Sequence, residues 1–150
     1  MVEELLLRIS TATVLVPWML LLVAPRWAWT DRIVQSVAPA VILVPIYVAC
    51  IFFDPVGPAA PSFFTVDGIQ SIFASRRTAV GCWVHYLVFD LFVGAWQVRD
   101  ARALGIAHRW VVPCLLLTLW FGPVGYAAYL LLRVGLRKRA SLTSELATAP

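Results

Sequence analysis

Residues 82–94 read CWVHYLVFDLFVG, an apolar run with His85 and Asp90 set inside it. No charged residue lies between Arg77 and Asp90, or between Asp90 and Arg99. Such a run reads as a helix crossing a bilayer with a carboxyl group near its middle. An ionised acid at that depth costs roughly 2.5–3.5 kcal/mol on insertion scales. A partner must hold it, or a reaction must use it.

The rest of the chain agrees with this reading. Of its 150 residues, 61% are hydrophobic and 13% charged, whereas a soluble domain carries about a quarter charged residues. A spanning helix needs ~20 apolar residues, so the length suits four spans with short connections and no separate soluble domain. The expected fold is all-α: a polytopic membrane protein of four transmembrane helices, with a short interfacial amphipathic helix between spans two and three. The spans fall at 5–24, 33–53, 79–98 and 110–133, and a disordered tail at 138–150. Glu3 and Glu4 stand where a signal peptide would be basic, so the first segment reads as a retained span. Within span two, Pro39 and Pro45 free carbonyls near Gln35 and Val41, which a neighbouring group must satisfy.

The longest connection, 54–78, begins as the irregular loop DPVGPAAPS. Its second part differs. Asp67 is placed to cap a helix over 67–77 in which Ile69, Ile72 and Phe73 share one face, closed by Arg76 and Arg77. It reads either as a hydrophobic plug over the bundle or as a substrate gate.

Charge and cysteines narrow the function classes. The net charge is +4, with most cations flanking spans, which points to anionic lipid headgroups and not to nucleic acid. With four spans, both termini and the 54–78 loop share a side holding seven cations against five. That count places both termini in the cytoplasm, and the localisation expected is a bacterial inner membrane. Cys50, Cys82 and Cys114 fall in different spans and read as small buried hydrophobes. With His85 and His108 the only histidines, no usual metal-ligand spacing occurs, and no cofactor motif is present.

The candidate site gathers around Asp90. At 100° per residue its face includes Trp83, Tyr86, Gly94 and Gln97, and Tyr86 at i−4 is within reach of the carboxylate. His85 lies ~140° round and ~7.5 Å along the axis, so the two approach one ligand from different angles or meet separate partners. The candidate catalytic residues are Asp90, His85 and Tyr86. The candidate ligand-binding residues are Trp83, Phe89, Gly94, Gln97, Thr118 and Gly122. Asp90 also has a purely structural reading, protonated or bonded to Tyr86, Gln97 or a proline-freed backbone group. His85 equally reads as a satisfied core histidine. In span four Pro123 predicts a kink, and Thr118, Gly122 and Gly125 at i, i+4, i+7 make a small-residue stripe for helix packing or a ligand groove.

Four segments carry a resemblance: PWMLLLVAPRW at 17–27, DGIQSIFAS at 67–75, WVHYLVFDLFVGAW at 83–96 and PCLLLTLWFGPVGYAAYLLLR at 113–133. In this order and spacing the chain resembles the abscisic-acid-deficient-four-like family of small membrane proteins of plant plastids and many bacteria. Plant members of that family are required to make neoxanthin from violaxanthin. That isomerisation opens an epoxide and removes a proton from a polyene carbon, and an acid and a base suffice for it without a redox cofactor. The resemblance implies no agreed catalytic residues. The chain shows no long transit peptide and reads as a bacterial member, and most bacteria make no neoxanthin, so the fold transfers and the substrate does not.

The expected function is therefore a membrane-embedded isomerase-like enzyme, or binding protein, for a carotenoid or related isoprenoid lipid. Its rival is a non-catalytic accessory subunit of a larger, pigment-holding membrane complex. A transporter is disfavoured, because a second acidic partner within the spans is missing.

Overall fold

The computed structural model describes residues 1–57 and 59–137; the tail expected at 138–150 lies outside them. Among the described residues the secondary structure is helical: α1 (Val2–Val23), α2 (Ala28–Val34), α3 (Ala38–Phe52), α4 (Val66–Ala74), α5 (Arg76–Ala103), α6 (His108–Phe121) and α7 (Pro123–Arg137). Three stretches are long and apolar enough to cross a bilayer: Val2–Val23, Ala28–Phe52 across its break, and Arg76–Ala103.

α5 is the axis of the molecule. It packs against α1, α3, α6 and, more lightly, α7. Its buried Val84, Leu91, Ala95 and Val98 meet Val14, Trp18 and Leu21 of α1, Leu43 of α3, and Val111 and Leu115 of α6 in one core. The helix runs past the expected end at Val98, because Asp100 is neutralised by side chains of α7 and need not leave the bundle. Gly105 stops it, with φ at +63°. Its N–H bonds the Arg102 carbonyl, and the Ile106 N–H bonds the Ala101 carbonyl at 2.8 Å, the paired closure that glycine favours at a helix end.

Span two is not one helix. Ser36 Oγ accepts the Ala38 N–H and donates to the Ile33 carbonyl, so the chain bends over 35–37 and α3 restarts at its proline. At the other end of the bundle, Thr65 caps α4 by accepting the Gly68 N–H at 3.1 Å. Asp54 ties the end of α3 to the start of α5, taking hydrogen bonds from the hydroxyls of Ser75 and Thr78.

The largest departure concerns the expected fourth span. Gly122, with φ at +34°, separates α6 from α7, and the two helices have 14 and 15 residues. Each rises only about 21–23 Å, short of the ~30 Å hydrocarbon core. They form a hairpin. α6 begins beside the close of α1, where His108 Nε2 meets the Leu22 carbonyl at 3.0 Å. α7 then runs back along α5, with Tyr126 and Tyr129 against Trp96 and Arg133 on Asp100. The small-residue stripe therefore belongs to a turn: a Cβ on Gly125 would lie 2.0 Å from the Thr118 nitrogen. Glycine is required where the two arms touch.

This reversal puts the start of α1 and the close of α7 at opposite ends of the bundle. Glu3 and Glu4 at the start of α1 pair with Arg77 and Arg76 at the start of α5, whereas α7 closes near the end of α5. The expectation that both termini share a side turns in part on residues 138–150, which lie outside the described ones.

Candidate functional site

Asp90 lies about halfway along α5, roughly 20 Å from Arg77 and 14 Å from Arg99 at 1.5 Å per residue. The tip of the α6–α7 hairpin meets it there. Asp90 Oδ1 is 2.8 Å from where a Gly122 Cβ would stand. Beside this contact is a cavity of about 460 Å3, whose lining includes Trp18, Trp83, Tyr86, Asp90, Trp120 and Gly122. Its walls are apolar and aromatic, and Trp83, Tyr86 and Trp120 are exposed on the outer surface. The cavity thus opens sideways between α1, α5 and the hairpin. Asp90 and Tyr86 are the titratable groups that line it.

The expected bond between Tyr86 and Asp90 is not formed; among the described residues the Asp90 carboxyl has no hydrogen-bond partner. Trp18 is fully buried and its indole Nε1 also lacks one. The cavity wall therefore includes a carboxyl group free to bond a ligand.

His85 is elsewhere. Its ring lies 4.5 Å from Phe89, 6.0 Å from Tyr47 and 6.4 Å from Tyr86. It lines a second cavity of about 370 Å3, shared with Thr78, Cys82, Ile72 and Phe73 under the 61–63 loop and α4. Tyr86 alone lines both spaces. The ~140° between His85 and Asp90 on the helix is enough to put them on different walls, and Phe89 goes with His85.

Three other expected ligand contacts turn out to be fasteners. Gly94 accepts the edge of the Trp18 ring, with Cη2 at 2.7 Å from its would-be Cβ. Gln97 Nε2 donates to Thr118 Oγ1 at 2.9 Å and to the Gly125 carbonyl at 3.3 Å. Thr118 in turn donates to the Cys114 carbonyl. Gln97 and Thr118 thus hold both arms of the hairpin to α5. Of the six expected ligand-binding residues, Trp83 and Gly122 line the Asp90 cavity.

A second polar cluster escaped the sequence reading. Asp100 accepts Tyr129 Oη at 2.6 Å, Arg133 Nε at 2.9 Å and Arg133 Nη2 at 3.3 Å. Arg133 and Tyr129 are fully buried. In the sequence Arg133 closes the expected fourth span and Tyr129 lies four residues inside it. The available signal was their i, i+4 spacing, which puts phenol and guanidinium on one helix face ready for a single acid.

The profile of the ABA DEFICIENT 4-like family matches residues 5–129 of the chain. Protein ABA DEFICIENT 4, chloroplastic, from Arabidopsis thaliana is 29% identical over 128 residues, covering 81% of this chain and 57% of the relative. The chain thus spans little more than half the length of that relative. No solved structure matches it.

Proposed function

The chain belongs to the ABA DEFICIENT 4-like family, and from that premise we propose that it is a membrane-embedded isomerase-like enzyme, or binding protein, for a carotenoid or related isoprenoid lipid. One observation carries the reading: a carboxyl group without a hydrogen-bond partner faces a lipid-accessible aromatic cavity of about 460 Å3 in the middle of the longest helix. Ionisable groups at membrane depth are retained for function more often than for structure. The cavity size lies within the usual range for small-molecule sites. It suits an apolar end group with one oxygen function, the remaining chain lying against the exposed faces of α1 and α5.

The proposed chemistry uses Asp90 twice. In its protonated form one carboxyl oxygen gives its proton to an epoxide oxygen as the C–O bond breaks. The carboxylate then takes the proton released from the neighbouring polyene carbon. An alcohol and an allene result, the substrate's composition is unchanged, and the acid is regenerated. His85 is given no part, because it lines the other cavity. Tyr86, at the shared wall, positions the end group. In this reading the hairpin complements the three long helices as the fourth membrane element, and α4 lies along the interface over the His85 cavity.

The separation of His85 from Asp90 also favours a second reading, a non-catalytic subunit that holds a pigment without converting it. Purification in mild detergent followed by mass spectrometry of the retained lipid separates the two. The wild type is expected to carry an isoprenoid lipid, and Asp90→Asn to retain the lipid while losing conversion of an added epoxide substrate. Full activity in Asp90→Asn would shift the assignment to the pigment-holding reading. Absence of any isoprenoid from the wild type, both as purified and after incubation with it, would remove both.

A further inference from the structure

The α6–α7 hairpin changes which charges share an end of the bundle. One end is formed by residues 24–37, the α5–α6 turn and the close of α7. Through Arg137 it holds Arg26, Arg32, Arg99, Arg102, Arg109, Arg133 and Arg137 against Asp31 and Asp100, seven cations minus two acids, or +5. The opposite end holds Arg8, Arg76 and Arg77 against Glu3, Glu4, Asp54 and Asp67, three minus four, or −1. Lys138 and Arg139 follow Arg137 in the sequence.

The basic end also has the surface that a headgroup layer requires. Arg133 is committed to Asp100 and Arg102 to Asp31, but Arg26, Arg32, Arg99 and Arg109 are exposed. Trp27, Trp29 and Trp110 are about half exposed beside them. Arg32 lies over the Trp29 ring at 5.2 Å and Arg109 over the Trp110 ring at 5.6 Å. Indoles with cations stacked on them are suited to the boundary between acyl chains and headgroups. From Arg99 back to Arg77, α5 rises about 33 Å, enough to put the two ends at the two faces of one bilayer.

We propose that the basic, tryptophan-lined end is a docking surface for an anionic phospholipid leaflet, so that the close of α7 lies on the cytoplasmic side and the start of α1 on the other. The hairpin then enters the bilayer from the anionic face, reaches Asp90 at mid-depth and returns. Short loops rich in arginine favour the cytoplasmic side, and seven against three is a wider margin than the seven against five of a four-span arrangement. This assignment is independent of what the Asp90 cavity holds.

The test uses the full chain in a bacterial inner membrane. Reporters that are active on only one side (a cytoplasmic fluorescent protein and an external phosphatase) are fused at the C-terminus and inserted in the 55–60 loop. The C-terminal fusion should fluoresce without phosphatase activity, and the loop insertion should show the reverse. Both positions on one side, or the C-terminus outside, would overturn the proposal. For the lipid itself, wild-type protein in vesicles of phosphatidylglycerol and phosphatidylcholine should co-purify with phosphatidylglycerol enriched several-fold over the bulk. Combined Arg26→Gln, Arg32→Gln, Arg99→Gln and Arg109→Gln should bring that ratio to the bulk value with helix content unchanged. Bulk ratio in the wild type, or undiminished enrichment in a folded variant, would remove the headgroup surface.

Discussion

Among the described residues, Asp100 and Arg133 form the one ion pair buried on both sides. Burying two charges is repaid only when each is fully bonded, and here the acid takes three donors while the guanidinium presents two nitrogens to it. Arg133→Met alone leaves Asp100 without its cation in an apolar setting and should cost about 3–5 kcal/mol. Adding Asp100→Leu should recover much of that loss, as read from denaturant unfolding in detergent. If the double variant is as unstable as the single one, the charge pairing is not the source of the cost. Asp54 behaves differently because it lies in a loop. The Ser75 hydroxyl first, then the Val56 and Gly57 amides and the Thr78 hydroxyl, hold its carboxyl well below the ordinary value of 3.8. A lowered folded value means stability that is present above the unfolded value and lost as pH falls. The unfolding midpoint should therefore stay level from neutral pH to about 5 and fall in more acidic solution. Asp54→Ala should show a smaller acid-induced drop; an unchanged drop would mean that other carboxyls cause it. Asp90 was legible in the sequence because a lone acid interrupts an apolar run. Asp100 was not, because its partners lie 29 and 33 positions later, one inside the expected fourth span and one at its end.

At the level of elements, length and apolar runs marked the three long apolar stretches, Val2–Val23, Ala28–Phe52 and Arg76–Ala103, and the pairing of Asp100 explains the extra turn of α5. The Gly-Pro step at 122–123 was legible as a disturbance but not as a reversal. A kink and a turn-back need the same residues: a glycine that accepts positive φ and a proline that starts a helix. What decides between them is tertiary anchoring. Gln97 bonds Thr118 on one arm and Gly125 on the other, and Asp100 holds Tyr129 and Arg133 on the returning arm. None of these four contacts is local in sequence. Spin labels at the exposed positions Arg109 and Leu136 measure the outcome directly. Helices packed side by side have axes 8–10 Å apart, so the two labels should lie within about 20 Å, whereas one continuous helix would separate them by about 40 Å. A distance near the larger figure would dismiss the hairpin.

Taken as a whole, the molecule is organised so that one cavity depends on several elements at once. Thr11, Val14 and Trp18 come from α1, Tyr86 and Asp90 from α5, Trp120 from α6 and Pro123 from α7. Trp83, Tyr86, Asp90 and Gly122 were legible in the sequence, whereas the α1 wall was not, because Thr11 and Val14 carry no charge or motif to mark them. Whether His85 and Asp90 share one ligand was open at ~140° apart on the helix, and the two line different cavities. A consequence follows for stability. A ligand seated in this cavity bridges α1, α5 and the hairpin, so it resists their separation and binds the folded state alone. At a free concentration one hundred times its dissociation constant, such a ligand stabilises by about 2.7 kcal/mol. An epoxy-carotenoid or comparable isoprenoid added to the detergent-solubilised protein should therefore raise the thermal midpoint by a few degrees, while a linear alkane of similar length should not. Leu15→Trp offers the control: Leu15 lines the cavity and is 48% exposed, so an indole there fills the space without crowding the core. That variant should keep the unliganded midpoint and lose the ligand-dependent rise. An equal rise in Leu15→Trp and in the wild type would locate the ligand outside the Asp90 cavity, with the space beside His85 as the next place to look.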